Sequence, residues 1–101
     1  MNILKLFADY PFIPSFLDSG KEITDIVYDS RKARPDTIFV AMRGANRDGH
    51  DSCMNAYENG CRDFVVEHRV TLPNDAITYL VADSRRALSV MSRSLFQFTP
   101  K

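Results

Sequence analysis

The sequence predicts an α/β sandwich of three layers, in which helices flank a mostly parallel or mixed sheet of about four to five strands. Two continuous apolar runs, IFVAM at 38–42 and FVV at 64–66, are typical of strands that are covered on both faces. Between these runs, residues 53–61 carry apolar side chains at helical spacing, which indicates a helical crossover. The length of 101 residues suits a single small domain that spans 1–101.

The first 20 residues predict a short helix followed by an irregular link. Asn2 is placed to cap a helix that runs to Asp9. The side chains expected on its buried side are Leu4, Leu6 and Phe7. Pro11 and Pro14 then interrupt regular structure, because proline fixes φ and lacks a backbone donor.

The middle of the chain predicts a strand and the central helix. Residues 23–29 are rich in β-branched side chains and predict a strand. Asp51 or Ser52 is placed to cap the central helix, since short polar side chains satisfy its first backbone donors. The pair Asn59-Gly60 is a signal that ends the helix.

The last part of the chain predicts a strand over 77–82 and a helix that Asp83 caps. The apolar face of this helix comprises Leu88, Met91, Leu95 and Phe98, and Pro100 ends it. In a sheet built from such crossovers, the loops after Asp29 and after Met42 are expected to open at one edge. Ligands tend to bind at the strand ends of such sheets.

Composition and charge argue against several classes of function. Lys and Arg total 13, and Asp and Glu total 13, so the formal net charge is zero. A broad nucleic-acid surface is therefore not expected, because it needs a basic face. The sequence contains no run of roughly 18 apolar residues that would predict a membrane span. Asp9 and Pro11 interrupt the apolar start, which is untypical of a secretion signal.

The two cysteines, Cys53 and Cys61, are expected to be free thiols. If both lie on the central helix, their separation in sequence places them about 12 Å apart along its axis. A disulfide needs Cα atoms within about 7 Å of each other. Free thiols fit a reducing compartment, so a cytoplasmic location is expected.

The short motifs of several common enzyme chemistries are absent. The four glycines form neither a phosphate loop, nor a dinucleotide fingerprint, nor a nucleophile elbow. Four possible metal ligands are His50, Cys53, Cys61 and His68, and they lack the paired spacing of a zinc site. His50 near Cys53 has no evident third group that would orient it for activating a thiol. We therefore predict neither a catalytic residue nor a metal site in this chain.

Several segments together carry a resemblance to a known family. They are DSRK at 29–32, IFVAMRG at 38–44, DGHD at 48–51, a helix end with NGC at 59–61, and FVVE at 64–67. Their order and spacing closely resemble the N-terminal domain of the Mur ligases, which extend the peptidoglycan stem peptide. Within that family, the DSR form is most like the UDP-N-acetylmuramoyl-dipeptide (L-alanyl-D-glutamate) ligase, the MurE type. The chain departs from the family pattern at Asp36, where glycine is common, and at Arg47, where a small residue is common.

The resemblance implies a domain that docks the UDP end of a UDP-N-acetylmuramoyl-peptide. On this basis, Tyr28 and Ser30 would lie against the uracil and ribose. The residues that would line the nucleotide and diphosphate are Ala45, Asn46 and Arg47. Supporting roles are implied for Asp29, Arg31, Arg43 and Asp48. The residue types fit, since uracil needs amide-like hydrogen-bond partners and a diphosphate suits the forked donors of arginine.

Each of these residues also has a purely structural interpretation. Asp29 and Ser30 are residue types that commonly form turns after a strand. Arg31 can pair with Asp29 at the surface, with little gain in stability. Tyr28 can belong to the core or to a sheet face. Turn formation alone also accounts for Asn46, Asp48 and Gly49.

The complete enzyme of the resembled family couples ATP cleavage to amide formation. This implies ATP and Mg²⁺ for a full-length protein and no cofactor in this chain, whose expected partner is the central ATPase domain. Remote binding of the UDP end would then position the reacting carboxylate elsewhere. Two other functions stay open. One is the equivalent domain of the ligase that adds D-alanyl-D-alanine, and the other is a stand-alone module that binds a nucleotide sugar or a protein.

Overall fold

A computed structural model of the chain describes residues 2–8, 10–16, 21–42 and 52–97. The elements in these ranges are α1 (Ile3–Phe7), β1 (Ile13–Pro14), β2 (Asp25–Val27), β3 (Thr37–Val40), α2 (Cys53–Glu58), β4 (Asp63–Val66), β5 (Ile77–Leu80) and α3 (Ser84–Gln97). The strands form one sheet in the order β1-β5-β4-β3-β2. β2 to β5 run parallel, and β1 is antiparallel to β5. This mixed sheet confirms the predicted α/β class.

The sheet separates two hydrophobic clusters, as the three-layer prediction requires. Successive side chains of a strand point to opposite faces. Ile38 and Val40 of β3 therefore pack with α1 and α3, whereas Phe39 packs with Cys53 and Ala56 of α2. All four residues of β3 and of β4 are buried. These strands are thus covered on both faces, which explains their continuous apolar sequence.

α1 begins as predicted but buries a different face. The backbone N–H of Lys5 donates to Asn2 Oδ1 at 2.9 Å, so Asn2 is the cap. The buried side chains are Ile3, Leu6 and Phe7. The prediction that Leu4 is buried is wrong: Leu4 is 47% exposed, because the buried stripe at spacing i, i+3, i+4 starts at Ile3. The predicted helix end at Asp9 lies outside the described residues.

β1 falls where an irregular link is predicted, and that prediction is wrong for two residues. Ile13 pairs with Leu80 and Pro14 pairs with Tyr79 in an antiparallel arrangement. Pro14 is tolerated because β1 is an edge strand, where a missing N–H interrupts no further pairing. The N-terminal segment therefore adds a fifth strand at the edge opposite β2.

The turn before β3 explains one departure from the family pattern. Asp36 has a φ of 66°, in the left-handed region that favours glycine. Its carbonyl accepts hydrogen bonds from the N–H of Thr24 at 2.8 Å and from the Thr24 hydroxyl at 3.1 Å. Aspartate is among the side chains that tolerate this region, so the turn keeps its shape without glycine.

α2 ends at the predicted signal. Gly60 N–H donates to Tyr57 O at 2.9 Å and Cys61 N–H donates to Ala56 O at 3.1 Å, with Gly60 at a φ of 106°. These two bonds form a Schellman motif, in which glycine takes the position after the C-cap Asn59. Cys61 therefore lies beyond α2, and the premise that both cysteines share a helix is wrong. Neither cysteine is in a disulfide, as predicted, and both side chains are buried.

The two later helices differ in how they begin. Asp83 Oδ1 accepts from the N–H of Arg86 at 3.1 Å, which confirms Asp83 as the cap of α3. Ser52 is the N-cap of α2 by position but makes no capping bond with its side chain, and Asp51 lies outside the described residues. α3 packs on the core through Ala87, Leu88, Met91 and Leu95, and Phe98 and Pro100 are not described. In the described ranges, no helix is long and apolar enough to cross a membrane.

Candidate functional site

The carboxyl edge of the parallel strands brings the ends of β2 and β3 together. Val27 of β2 pairs in register with Phe39 of β3. The chain therefore leaves both strands at the same edge, one strand spacing of about 4.8 Å apart. The segments after β2 and β3 start side by side, as the sequence predicts, at the edge where ligands bind in sheets of this kind.

The segment after β2 folds into a 3₁₀ turn, Ser30–Lys32, which Asp29 caps. Asp29 Oδ1 accepts from the N–H of Arg31 at 3.0 Å, and Asp29 O accepts from the N–H of Lys32 at 2.9 Å. The turn closes when Ala33 N–H donates to Ser30 O at 3.2 Å. Asp29 thus has the structural role that its residue type allows after a strand.

The side chains of Arg31 and Asp29 form a bidentate ion pair across this turn. Arg31 Nε lies 3.1 Å from Asp29 Oδ1, and Arg31 Nη2 lies 2.8 Å from Asp29 Oδ2. Hydrogen bonds from the Arg31 side chain, and then from its backbone N–H, lower the pKa of Asp29 to about 2. The same pairing raises the pKa of Arg31. The Arg31 side chain is 85% exposed, so the pair adds little stability and leaves guanidinium donors facing solvent.

Ser30 is held from the other side by α2. Asn55 Nδ2 donates to Ser30 Oγ at 3.2 Å, and Asn59 Nδ2 donates to Ser30 O at 2.8 Å. The two asparagines lie four residues apart and so share one face of the helix. They donate hydrogen bonds to the hydroxyl and to the carbonyl of the same residue, which fixes the orientation of Ser30. Ser30 is only 9% exposed.

Tyr28 lies just before this turn and is 66% exposed. The interpretation of Tyr28 as a core residue is therefore wrong. An exposed ring beside a polar turn offers an apolar face with a hydroxyl at its rim, which suits a flat heterocycle. Four of the residues singled out in the sequence, Tyr28, Asp29, Ser30 and Arg31, therefore lie on one described segment at the carboxyl edge.

The rest of the predicted set lies outside the described residues. It comprises Arg43, Ala45, Asn46, Arg47 and Asp48. Their assignment to the nucleotide and diphosphate stays a prediction. The described part of the site is therefore the 28–31 segment together with its support on α2.

One other polar cluster in the described residues is closed by its own contacts. This cluster lies before the amino ends of β4 and β5. The Tyr57 hydroxyl donates to Asp75 Oδ1, and Arg62 Nε donates to Asp75 Oδ2 at 3.1 Å. The hydrogen bond to Asp75 raises the pKa of Tyr57, and the same bond lowers the pKa of Asp75. Arg62 also stacks on the Tyr57 ring, 3.8 Å from its centroid. This cluster ties the end of α2 to the β4–β5 connection and leaves no charge free for a ligand.

The cysteines are placed as core residues. Cys61 Sγ lies 3.2 Å from the carbonyl oxygens of Thr37 and Asp63, and burial raises the pKa of its thiol. A buried thiol with a raised pKa is a poor nucleophile. In the part of the chain that the structure describes, no three His, Cys, Asp or Glu side chains meet in an arrangement for a metal ion. His50, the fourth member of the set considered in the sequence, lies outside that part.

Comparison with known proteins connects this arrangement to a family. The family model described as "Mur ligase family, catalytic domain" matches residues 22–96. The chain belongs to the Mur ligase family. The match includes β2 and the 28–31 segment as well as β3, α2 and β4, so the family resemblance inferred from the sequence is confirmed.

The relatives are much longer ligases. The UDP-N-acetylmuramoyl-L-alanyl-D-glutamate–2,6-diaminopimelate ligase of Clostridium botulinum is 34% identical over 99 residues, which are 95% of this chain and 20% of the relative. The UDP-N-acetylmuramoyl-L-alanyl-D-glutamate–L-lysine ligase of Staphylococcus aureus (strain COL) is 36% identical over 78 residues, 77% of this chain and 16% of the relative. The chain thus spans about a fifth or less of the length of these Mur ligases.

Solved Mur ligase structures share the fold. A crystal structure of MurF from Acinetobacter baumannii superposes with a TM-score of 0.73 at 26% identity, covering 90% of this chain and 19% of that chain. MurF from Thermotoga maritima, solved in complex with ADP, gives a TM-score of 0.61 at 27% identity over 80% of this chain and 18% of that chain. Both comparisons agree with a three-layer Mur ligase domain of mixed-sheet topology.

Sequence reasoning missed two residues that support the candidate site, Asn55 and Asn59. Their spacing of four predicts only that they share a helix face. Nothing local indicates that this face meets Ser30, which lies 25 and 29 positions earlier in the chain. A signal that could have found them is the presence of two asparagines four residues apart, one within α2 and one at its C-cap, together with a polar turn after β2 that offers acceptors for their amides.

We expect the Asp29 carboxyl of this Mur ligase domain to titrate near pH 2, and Arg31→Ala to raise its pKa toward the ordinary 3.8. Because the folded pKa lies below the unfolded one, the pair contributes stability above about pH 4 that is lost as the pH falls through about 2. The measurement is the pH dependence of the Asp29 side-chain carbon shift by NMR. Arg34→Ala, which removes a different arginine, is the control, and an unchanged Asp29 titration in Arg31→Ala would contradict the assignment.

Proposed function

We propose that this chain is the N-terminal docking domain of a Mur ligase and binds the UDP end of a UDP-N-acetylmuramoyl-peptide. The observation that carries the proposal is the fixed Ser30 turn at the carboxyl edge. Its hydroxyl accepts a hydrogen bond from Asn55, the exposed ring of Tyr28 comes two residues before it in the chain, and an exposed guanidinium follows at Arg31. A uridine needs hydrogen-bond partners and a stacking face, and both are present there.

The branch of the family we favour is the one that adds the third residue of the stem peptide. The names of both sequence relatives state that they act on UDP-N-acetylmuramoyl-L-alanyl-D-glutamate. The likeness to MurF structures supports a second candidate, the equivalent domain of the ligase that adds D-alanyl-D-alanine. An assay of the complete ligase with L-lysine, diaminopimelate or D-alanyl-D-alanine as the incoming group separates the two candidates.

In this proposal the domain contributes binding energy and no bond-making step. The sequence contains no phosphate loop, so ATP and Mg²⁺ are expected to bind in the central ATPase domain of the complete ligase. Anchoring the UDP end reduces the freedom of the distant carboxylate, which raises the effective concentration of the reacting groups. The proposed location of the complete enzyme is the cytoplasm, where its ATP and its nucleotide-sugar substrate are found together.

We expect UDP to bind this domain with backbone amide shifts concentrated at 28–33 and around Asn55 and Asn59. The test is an NMR titration of the isotope-labelled chain with UDP-N-acetylmuramoyl-L-alanyl-D-glutamate and with UDP, using ATP for comparison. Ser30→Ala should weaken UDP binding about tenfold, since one hydrogen bond to the ligand and its fixed geometry are lost.

A matched control is Ser89→Ala, which removes a hydroxyl from the exposed face of α3 and should leave the UDP affinity unchanged. Amide shifts that are as large with ATP as with UDP would contradict recognition of the uridine. Shifts that concentrate on α3 instead of the 28–33 segment would place the ligand elsewhere and overturn the proposed site.

A further inference from the structure

The hydrogen bond between Asn55 and Ser30 has a direction, and that direction limits what Ser30 can do. A serine hydroxyl has one proton to donate and two lone pairs that accept. Asn55 Nδ2 donates to Ser30 Oγ at 3.2 Å, which uses one of the lone pairs. The hydroxyl proton has no acceptor among the described residues, although Ser30 is only 9% exposed. Ser30 therefore presents a donor at the carboxyl edge.

The carbonyl of the same residue is fixed separately. Asn59 Nδ2 donates to Ser30 O at 2.8 Å, and Ala33 N–H donates to the same oxygen at 3.2 Å. Since a carbonyl can only accept, the direction of these bonds is unambiguous. Asn59 and the turn thus fix the backbone of Ser30. Asn55 separately fixes the direction in which the Ser30 hydroxyl points.

We infer that Asn55 is a positioning residue that fixes the Ser30 hydroxyl as a hydrogen-bond donor toward an acceptor oxygen of the bound uridine. This inference rests on the proposed docking of UDP. The class of ligand atom that it selects is a hydrogen-bond acceptor, and the proposed docking of UDP makes that acceptor a uracil carbonyl or a ribose oxygen. A ligand N–H or O–H donor at the same place would have only the second lone pair of Ser30 Oγ to bind, whereas an acceptor oxygen meets the hydroxyl proton directly.

The inference is tested by inverting the direction of the bond. Asn55→Asp has almost the same shape but no amide protons, so its carboxylate accepts from the Ser30 hydroxyl and turns the proton away from the ligand. Asn55→Ala removes the amide and leaves the hydroxyl free to rotate. We expect Asn55→Asp to weaken uridine binding about tenfold and Asn55→Ala to weaken it less. If Asn55 only stabilised the turn, Asn55→Asp would not weaken uridine binding more than Asn55→Ala.

Uridine is the probe because it carries no phosphate, so the added charge of Asn55→Asp hardly affects its binding. In a Ser30→Ala background, Asn55→Asp should have no further effect on uridine affinity. Equal losses in Asn55→Asp and Asn55→Ala, or additive losses in the double variant, would overturn the inference. A loss seen with pyrophosphate and not with uridine would overturn the assignment of a uridine oxygen as the acceptor.

A measurement without ligand separates failure of this inference from failure of the docking proposal. In the free protein, Ser30→Ala should shift the side-chain NH₂ resonances of Asn55, because their acceptor is lost. The NH₂ resonances of Asn59 should stay in place, because its acceptor is a backbone carbonyl. Unchanged Asn55 resonances would overturn the positioning role whether or not UDP binds. Shifted Asn55 resonances in a protein that binds neither uridine nor UDP would overturn only the docking proposal and the ligand role that rests on it.

Discussion

Asp63→Ala is expected to destabilise the domain by about 2–4 kcal/mol, because a buried phenol loses its acceptor and the partly exposed Lys21 loses its ion-pair partner. Asp63 begins β4 and is 1% exposed. Lys21 Nζ lies 2.9 Å from Asp63 Oδ2, and the Tyr79 hydroxyl donates to Asp63 Oδ1 at 2.9 Å. Alanine would leave a buried phenol and a largely covered ammonium without their acceptor. Urea unfolding followed by circular dichroism measures the loss.

Two milder substitutions and a control test the same explanation even if Asp63→Ala does not fold. Asp63→Asn keeps an acceptor for Tyr79 and removes the charge, so we expect a smaller loss of about 1–3 kcal/mol. Tyr79→Phe leaves the ion pair in place and should cost about 0.5–1.5 kcal/mol. Arg34→Gln breaks a surface pair with Asp25 and is the matched control, with an expected change within about 1 kcal/mol. The explanation fails if Asp63→Asn costs no more than Arg34→Gln.

The central strands could be predicted from sequence because each is covered on both faces. A run such as 38–42 has no polar position that would let it be a surface helix or a loop, and the structure buries every residue of β3. β1 has no comparable signal. It has only two residues, one of them Pro14, and its strand character comes entirely from pairing with β5 at the far end of the chain. Tertiary pairing decides such a segment, not its own pattern.

The buried ion pair was missed for a related reason. In the sequence, Asp63 looks like a polar residue that ends a loop before FVV. Its burial depends on Lys21, which comes from a different part of the chain, and on the hydroxyl of Tyr79, which looks like an ordinary strand aromatic. A buried charge is stable only when distant groups converge on it, and that convergence is a property of the fold.

The candidate site was partly predictable. The family resemblance pointed to Ser30, and residue chemistry pointed to Asp29 and Arg31 as turn and ion-pair formers, which is how they are arranged. The support from Asn55 and Asn59 could not be predicted, because both bonds cross from α2 to a turn far earlier in the chain. Residue types therefore predict that this segment forms a turn, whereas the packing of α2 determines the direction of the Ser30 hydroxyl.

Gly60→Ala is expected to destabilise the domain by about 2–4 kcal/mol, from two causes that act together. Gly60 has a φ of 106°, a conformation that L side chains rarely adopt. A Cβ at this position would lie 2.8 Å from Cδ and 2.9 Å from Cγ of Pro35, whose ring cannot rotate away. The free energy of unfolding from urea titration measures the loss.

The two causes separate in a double-mutant cycle with Pro35→Ala, which removes the ring atoms that Cβ would meet. Gly60→Ala should cost less in the Pro35→Ala background, and the remaining loss is the backbone strain of about 1–3 kcal/mol. A cost below about 0.5 kcal/mol in the parent protein would contradict the argument, since surface changes without such features stay in that range. The same substitution should also weaken UDP binding, because Gly60 ends α2 directly after Asn59, whose amide holds the Ser30 carbonyl. Stability and the proposed docking of UDP are therefore expected to depend on the same helix end.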